Sequence, residues 1–225
     1  MAELASSRVT ADGAAPEQWI VFLHGILGSG ANWRTFARQL VAARPAWGAL
    51  LVDLRLHGDS QGFAPPHTLD AAARDVGLAL ARLPGRARAV LGHSFGGKVG
   101  IALAGQLAGS QPLDHLFVVD STPGARPDGR GSSGVRQIVE TLRELPQRFP
   151  TRNDFTSWVE ARGVSRPIAM WLAMNVRPVT GTTEFEFRID IPSVREMLAD
   201  YFSRDLWPLI ERPEPSRTTH MLAGE

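Results

Sequence analysis

The sequence predicts an α/β fold in which helices cover both faces of a mostly parallel sheet. Between residues 18 and 120, apolar runs of strand length alternate with longer amphipathic segments, as they do in strand–helix–strand units. The apolar runs are continuous, which indicates strands that are buried on both faces. Of the 225 residues, 44% are apolar and 21% are charged, so the chain can bury an ordinary core.

The elements before Asp120 follow one another in a regular order. The clearest is a helix over 68–83, in which Leu69 and Leu80 fall on one face at helical spacing. Thr68 is expected to cap that helix, because its hydroxyl can accept a hydrogen bond from the first turn. Strands are predicted at 18–23, 49–54, 87–91 and 116–120, and the other helices at 32–43 and 95–108.

The pattern changes after Pro123. Glycine, proline and serine are frequent in 124–134, as in a linker. The stretch 135–201 is predicted to be mainly helical, with one extended piece at 184–191, and a further strand is expected to begin at 219–223. The predicted organisation is an α/β core at 1–123, a helical cap at 124–205 inserted after the strand that ends at Asp120, and the start of a C-terminal part of the core at 206–225.

Composition excludes several classes of protein. The net charge is +1, which is too balanced for a protein that binds nucleic acid by neutralising phosphates. The absence of cysteine excludes a disulfide framework, a thiolate metal site and a cysteine nucleophile. No apolar stretch has the length of a membrane span, and the first residues lack the apolar core of a secretory signal. We therefore expect a cytoplasmic protein.

The strongest chemical signal is the hexapeptide GHSFGG at 92–97. It matches G-x-S-x-G and lies between an apolar strand and a helix, the context of a nucleophile elbow. Such a turn exposes Ser94 above the sheet, and the helix N-terminus presents backbone N–H groups to a developing oxyanion. A chance glycine-rich turn is the alternative, and it does not explain the flanking strand and helix.

A glycine-rich loop at 24–30 follows the first apolar strand. A backbone N–H from this loop, with Ile26 as the best candidate, would complete an oxyanion hole with the N–H of Phe95. A phosphate-binding loop is disfavoured, because no third glycine and no Lys-Ser/Thr pair follow at the required spacing. His24 is expected to fix the loop by hydrogen bonds, and its use as a general base is the less favoured alternative.

Two further polar stretches follow predicted strands. The octapeptide DLRLHGDS at 53–60 is interpreted as a turn held by side-chain hydrogen bonds, in preference to a direct catalytic role. Asp120 ends the fourth apolar strand, where catalytic groups of open α/β sheets collect. A carboxylate there can orient a histidine and stabilise its imidazolium; the alternative is an aspartate that only caps the next turn.

These motifs together resemble the α/β-hydrolase superfamily. Within it they are most similar to the abhydrolase-domain serine esterases, which include a mitochondrial member and small bacterial acyl-ester hydrolases. The G-x-S-x-G motif points to the superfamily, and the subfamily is indicated by R-x-H-G-x-S together with GHSFGGK. The likeness is carried by LHGILGSGANW (23–33), VDLRLHGDS (52–60), LGHSFGGKVGIALA (91–104), VVDSTP (118–123) and FEFRID (185–190).

The resemblance implies a site and a ligand class. It places the nucleophile at Ser94, the acid at Asp120, and the oxyanion donors at Ile26 and Phe95. It implies no metal and no organic cofactor, and a small-molecule acyl ester or thioester as the partner. For a eukaryotic source it also implies a mitochondrial or plastid location as the alternative to the cytoplasm.

The catalytic histidine is where the sequence departs from the family pattern. In the family it follows a glycine late in the chain, after a further strand, and none of the six histidines has that context. His220 is expected at the start of a strand, at the wrong end of the sheet. The chain is therefore expected either to be truncated, without two strands, the histidine loop and a final helix, or to be a variant without the base.

Two functions follow from these expectations. The first is a serine hydrolase that cleaves a carboxylic ester or thioester through an acyl-enzyme on Ser94. The second is a truncated or base-lacking hydrolase-like protein that binds a ligand without turnover. A dehalogenase or epoxide hydrolase is disfavoured, because those enzymes would carry aspartate at position 94.

Overall fold

A central six-stranded sheet organises the computed structural model, which describes residues 2–128, 133–212 and 217–223. The strand order is β1-β3-β2-β4-β5-β8, and only β1 is antiparallel to its neighbour. A separate antiparallel pair is formed by β6 and β7. The strands are β1 (Ser6–Val9), β2 (Gln18–Leu23), β3 (Trp47–Val52), β4 (Arg86–His93), β5 (His115–Val119), β6 (Val176–Pro178), β7 (Phe185–Phe187) and β8 (Thr218–Leu222).

Helices cover both faces of this sheet, as predicted. One face packs against α1, and the other packs against α2 and α3. Single 3₁₀ turns at Gly30–Trp33 and Ala173–Asn175 precede α1 and follow α6. The helices are α1 (Arg34–Ala43), α2 (Leu69–Leu80), α3 (Phe95–Leu107), α4 (Ser133–Leu142), α5 (Arg152–Glu160), α6 (Arg166–Leu172), α7 (Ile191–Ser203) and α8 (Trp207–Glu211).

Strand β2 shows why the apolar runs are continuous. Its side chains alternate between the two faces of the sheet: Val21 and Leu23 enter the cluster beneath α2 and α3, and Ile20 and Phe22 enter the cluster beneath α1. All four are buried. A strand that is covered on both faces cannot place polar residues on either of them, so the absence of alternation in the sequence is the signal of the parallel sheet.

Several predicted bounds were wrong by a few residues. The strand predicted at 49–54 is Trp47–Val52, because β3 pairs in register with β2 from Trp47 onward. The helix predicted from residue 32 begins at Arg34, after a 3₁₀ turn. The strand predicted at 116–120 ends at Val119, because Asp120 takes a positive φ. The remaining shifts are at 68–83, where the helix ends at Leu80, at 87–91, where the strand spans Arg86–His93, and at 95–108, where the helix ends at Leu107.

The edge strand β1 was not predicted. It pairs antiparallel with β3, and three of its four residues are exposed. Its sequence, SSRV, has no apolar run, because an exposed edge strand is held by backbone hydrogen bonds to its neighbour. Hydrophobic periodicity therefore carries no signal for this strand.

Residues 124–205, which we call the cap segment, contain α4 to α7 and the β6–β7 pair. The extended piece predicted at 184–191 is largely wrong: only Phe185–Phe187 is a strand, and Ile191 begins α7. Asp190 caps that helix by accepting a hydrogen bond from the N–H of Ser193. The linker predicted at 124–134 is shorter than expected, because α4 begins at Ser133; residues 129–132 of that prediction lie outside the described residues.

Strand β8 corrects the prediction for the end of the chain. The strand predicted at 219–223 spans Thr218–Leu222 and pairs in parallel with β5. His220 was expected at its start, but it lies in the middle of the strand, opposite Phe117. The two rings stack with centroids 4.3 Å apart, so this imidazole packs against a neighbouring strand, away from the carboxyl edge of the sheet.

The cap of α2 provides a stability prediction. The N–H of Ala71 donates to Oγ1 of Thr68 at 3.2 Å, as the sequence predicted. Thr68→Ala is expected to lower the free energy of unfolding by about 1 kcal/mol, because it leaves that N–H without its partner. Denaturant unfolding measures the change. Thr141→Ala, which removes a hydroxyl from within α4, is the control, and an equal loss in both variants would contradict the capping role.

Candidate active site

Four residues in the left-handed backbone region mark one edge of the sheet. In the described ranges, the non-glycine residues with positive φ are Leu27, Leu56, Ser94 and Asp120, at 63°, 62°, 51° and 46°. Each follows the carboxyl end of one of the parallel strands β2 to β5. Such a conformation costs a non-glycine residue about 1–3 kcal/mol and persists only where packing enforces it. Four such residues at the carboxyl edge of the sheet point to a functional site there.

Ser94 occupies a sharp turn between β4 and α3. Its φ is 51° and its ψ is −117°, and its N–H donates to the carbonyl of Val119 on the neighbouring strand at 2.9 Å. The turn requires small neighbours: a Cβ on Gly92 would collide with the carbonyl oxygen of Gly96, and a Cβ on Gly96 would lie 2.6 Å from the carbonyl of His24. This is the strand–turn–helix arrangement that the G-x-S-x-G motif predicted.

The loop after β2 is held in place from three directions. The N–H of Gly28 closes a turn onto the carbonyl of Gly25 at 3.0 Å. The N–H of Leu27 donates to Nε2 of His57 at 3.0 Å, and the carbonyl of Leu27 accepts from Nδ2 of the buried Asn175 at 2.8 Å. These bonds hold the backbone on either side of Ile26, so the direction of its amide is determined before any ligand binds.

The structure brings Ile26 close to the serine turn. Ile26 and Ser94 line the same cavity, and a Cβ on Gly25 would lie 3.4 Å from Cβ of Ser94. Phe95 is the first residue of α3, so its amide is one of the unpaired N–H groups at a helix N-terminus. Within the described part of the chain, neither amide has a hydrogen-bond acceptor, which leaves both available to an oxyanion.

Asp120 lies beside Ser94 because of the register between β4 and β5. His93 is opposite Val119 in this parallel pair, so the next residues, Ser94 and Asp120, leave the sheet side by side. Both line one cavity. The Asp120 side chain is 67% exposed, and its Oδ2 lies 4.0 Å from Nε2 of His93. The carboxylate is therefore placed at the cavity and is accessible to an incoming imidazole.

The buried histidines His24 and His57 brace the loops after β2 and β3 against each other. Nε2 of His24 accepts from the N–H of Leu54 at 2.9 Å, and Nε2 of His57 accepts from the N–H of Leu27 at 3.0 Å. Burial lowers the pKa of His24 to about 3 and also lowers the pKa of His57. Both rings are therefore neutral acceptors, which supports the prediction that His24 fixes its loop.

This brace makes stability depend on pH. Between pH 6.5 and 3, the unfolded chain binds a proton at His24 that the folded chain excludes, so the free energy of unfolding falls as the pH is lowered through that window. For His24 alone the loss of unfolding free energy from pH 7.5 to 5 is about 2 kcal/mol. Denaturant unfolding at pH 7.5 and 5 measures it. His24→Gln should reduce this dependence, whereas the control variant His115→Gln should retain it; an unchanged dependence in His24→Gln would contradict the assignment.

The other described histidines have different surroundings. His93 is half-buried beside Ser94, and its pKa is lowered by burial, an effect that the Asp120 carboxylate opposes. His115 and His220 contact each other across β5 and β8, with Nδ1 and Nε2 3.4 Å apart. Within the described ranges, no three His, Asp or Glu side chains are grouped as metal ligands would be. His93 directly precedes Ser94, and its Nε2 lies 4.0 Å from Oδ2 of Asp120.

The stretch 53–60 forms the polar turn that the sequence indicated. Oδ1 of Asp53 accepts from the N–H of Gly30 at 2.7 Å, and Oδ2 accepts from the N–H of Asp59 at 2.9 Å. The hydroxyl of Ser60 donates to the carbonyl of Asp53 at 2.7 Å. Asp53 thus ties the loop after β3 to the 3₁₀ turn after β2, and its oxygens are occupied by backbone donors.

Two cavities of different chemistry meet at Ser94. The first, of about 560 Å³, is mostly apolar, and we call it the apolar cavity. The second, of about 480 Å³, contains Asp120 and is richer in polar groups; we call it the polar cavity. Side chains of the cap segment contribute to both. The apolar cavity is lined by Ile26, Trp33, Ile138, Ile168 and Trp171, and the polar cavity by Ser121, Thr122, Arg126, Tyr201 and Trp207.

Sequence reasoning missed two buried polar residues that connect the cap segment to the core. Asn175 reaches from the cap segment to the loop after β2, and Lys98 reaches from α3 to three carbonyls. Lys98 lies within the GHSFGGK motif. The helix around it consists of small and apolar residues, and a lysine in such a helix could have indicated a buried cation with a specific partner. No comparable signal marks Asn175.

Comparison with protein-family models identifies the family of the chain. A family model described as the alpha/beta hydrolase family matches residues 20–224. The chain belongs to the alpha/beta hydrolase family. This confirms the family that the motifs of the sequence resembled and the fold that the resemblance implied. Within the described ranges of this hydrolase, no helix is both long enough and apolar enough to cross a membrane.

Two of the curated relatives that the chain resembles carry a lipase name. The chain is 28% identical over 222 residues to the sn-1-specific diacylglycerol lipase ABHD11 of Mus musculus, covering 95% of this chain and 67% of the relative. It is also 28% identical to the protein of that name from Danio rerio, covering 84% of this chain and 58% of the relative. The chain thus matches between 58% and 67% of the lengths of these two relatives.

Solved structures support the same fold. A marine microorganism esterase superposes with a TM-score of 0.81 at 20% identity, covering 100% of this chain and 92% of the esterase. The thioesterase domain from the curacin biosynthetic pathway superposes with a TM-score of 0.62 at 18% identity, covering 98% of this chain and 93% of the domain. At these identities the likeness concerns the fold.

Proposed function

We propose that this alpha/beta hydrolase cleaves a carboxylic ester or thioester through an acyl-enzyme on Ser94. The observation that carries the proposal is the strained turn at Ser94, which presents its hydroxyl between two cavities and beside two amides that have no acceptor among the described residues. The names of the relatives, a diacylglycerol lipase among them, support the same reaction class.

The proposed reaction follows from this placement. Oγ of Ser94 attacks the acyl carbon, and the N–H groups of Ile26 and Phe95 donate to the oxyanion that forms. An imidazole must accept the serine proton and pass it to the leaving alcohol or thiol, and Asp120 would orient it and stabilise its charged form. Among the described residues, His93 has its Nε2 4.0 Å from the Asp120 carboxylate. Water then hydrolyses the acyl-enzyme and regenerates the Ser94 hydroxyl.

Each of the two cavities is proposed to bind a different part of the substrate. An apolar acyl chain fits the cavity lined by Trp33, Ile138 and Trp171, because burying its methylene groups there removes them from water. The leaving group then faces the polar cavity, where Ser121 and Thr122 offer hydroxyl groups. The substrate class is thus an ester or thioester with an apolar acyl chain and a more polar alcohol or thiol.

Hydrolysis of p-nitrophenyl esters of increasing acyl length tests the proposal. We expect kcat/KM to rise from acetate to octanoate by about tenfold or more, since each buried methylene contributes about 0.8 kcal/mol of binding at most. Ile138→Trp, which fills the apolar cavity, should reduce octanoate hydrolysis and leave acetate hydrolysis nearly unchanged. Binding of the esters without release of nitrophenolate would instead support a ligand-binding protein that performs no turnover.

A further inference from the structure

Lys98 is a buried cation in the helix that begins at the serine turn. It lies one helical turn after Ser94 and is 1% exposed. Its Nζ donates to the carbonyls of Gly124, Tyr201 and Arg204 at 2.9, 2.7 and 2.7 Å. None of the proposed catalytic steps uses this side chain, so its burial requires another explanation.

The surroundings of Lys98 match an ammonium group. A lysine ammonium has three N–H donors and no acceptor, and three carbonyls receive them. Burial lowers the pKa of Lys98 to about 8, which still leaves the ammonium as the main form at neutral pH. Replacing Lys98 by an apolar residue would leave three partly buried carbonyls without this donor, and each would bear a desolvation cost.

The three carbonyls lie at the two ends of the cap segment. Gly124 is where the chain leaves the core, and Tyr201 and Arg204 are where it returns through the end of α7. Backbone hydrogen bonds already pair these two chain segments: the N–H of Arg126 donates to the carbonyl of Phe202, and the N–H of Leu206 donates to the carbonyl of Pro123. We call these two paired segments, residues 123–126 and 201–206, the neck. Lys98 joins the neck to the helix that carries Ser94.

Tyr201 links the neck to the catalytic machinery proposed above. Its ring packs against Phe95, with centroids 6.0 Å apart, and Lys98 Nζ lies 4.7 Å from the centroid of the same ring. Tyr201 also lines the polar cavity together with Ser94. A change in the position of the neck would therefore move Tyr201, which lines the polar cavity next to Ser94.

We propose that Lys98 is a positioning residue that holds the cap segment over Ser94 and so sets the selectivity of the site for acyl length. The proposal rests on the proposed function, because it assigns the acyl chain to the apolar cavity. The cap segment supplies Ile138, Ile168 and Trp171 to that cavity. Asn175 holds the cap segment at the loop after β2. The end of α7 is also joined to α2, by the Arg204–Asp70 ion pair and by the hydrogen bond from the N–H of Leu69 to Asp200. Loss of Lys98 therefore loosens the neck while these other attachments remain.

The test compares Lys98→Met with Arg204→Gln. The methionine keeps the length of the side chain and removes its charge and donors. The control breaks the ion pair between Arg204 and Asp70, which joins the end of the cap segment to α2, but it keeps the Arg204 carbonyl that Lys98 binds. Both variants are assayed as the full chain with p-nitrophenyl acetate and octanoate.

We expect Lys98→Met to lower the octanoate-to-acetate ratio of kcat/KM by about tenfold, since small displacements of binding groups cost one to two orders of magnitude. The acetate kcat should change by less than about threefold, and Arg204→Gln should keep the wild-type ratio. A purely structural role would lower the hydrolysis rates of both esters in proportion to the folded fraction, so their ratio would not change. An unchanged ratio would overturn the proposal. If Lys98→Met does not fold, Lys98→Gln takes its place under the same criterion.

Hydrogen exchange separates failure of this proposal from failure of the proposed function. If the wild-type chain hydrolyses no ester, the proposed function fails, but the position of the neck can still be measured. Lys98→Met should then increase amide exchange in α7 and at residues 122–126 relative to β2 and β4. Exchange that is unchanged in α7, or that increases uniformly in all elements, would contradict a positioning role for Lys98.

Discussion

Ser94→Ala is expected to abolish ester hydrolysis and labelling by a fluorophosphonate probe. The proposed mechanism has one nucleophilic oxygen, so its removal leaves only the amides of Ile26 and Phe95 to stabilise attack by water. Loss of a serine nucleophile costs about 10⁶-fold in the best studied case, so the residual rate should be indistinguishable from background. The measurement is labelling intensity together with turnover of p-nitrophenyl octanoate.

A matched control keeps this result specific. Ser121→Ala removes a hydroxyl that lines the polar cavity but is not assigned to attack, and it should retain labelling. Both variants should unfold at the same denaturant concentration as the parent within error, because neither Ser94 nor Ser121 is fully buried. Labelling that survives Ser94→Ala would place the nucleophile elsewhere and overturn the proposed mechanism.

Asp120→Asn is expected to lower kcat by about 10³- to 10⁴-fold with little change in KM. The amide keeps the shape of the side chain but cannot stabilise an imidazolium or hold it in the productive tautomer. Stability should be nearly unaffected, because the carboxylate is 67% exposed and an exposed substitution changes the free energy of unfolding by about 0.5 kcal/mol or less. Steady-state kinetics and denaturant unfolding of the same preparation separate the two effects.

Two further variants make the Asp120 result interpretable. Asp59→Asn removes an exposed carboxylate from the turn after β3, where it lies 3.8 Å from Arg188, and it should leave kcat unchanged. His93→Gln removes the imidazole whose Nε2 lies 4.0 Å from Asp120. A loss equal to that of Asp120→Asn would identify His93 as the base, whereas a much smaller loss would exclude it. A normal rate in Asp120→Asn would assign the acid to another residue.

Local patterns were sufficient for the elements around the nucleophile. The run QWIVFL predicted β2 with its correct bounds, because a strand buried on both faces must be apolar at every position. The helix α2 and its Thr68 cap followed from periodicity and from one side chain. The turn at Ser94 followed from glycines whose absent side chains make room for the backbone. In each case the information lies within a few consecutive residues.

Other features depend on partners that are distant in the chain. Strand β1 forms because β3 offers it backbone hydrogen bonds, and no apolar run in its own sequence marks it. The extended stretch predicted near residue 190 begins α7 instead, since Asp190 caps a helix there. The histidines His24 and His57 became interpretable as a brace only when the loops that they join were brought together.

The sequence by itself determined the family, the parallel sheet, and the residues proposed to act on a substrate, because each of these depends on short motifs and on local periodicity. Only the tertiary structure decided how those residues meet. The register between β4 and β5 sets Ser94 beside Asp120, and Lys98 finds its three carbonyls more than 25 residues away along the chain. The two cavities likewise combine side chains of the core and the cap segment. The physical reason is that register, burial and cavity shape arise from packing between distant segments, and no local pattern encodes them.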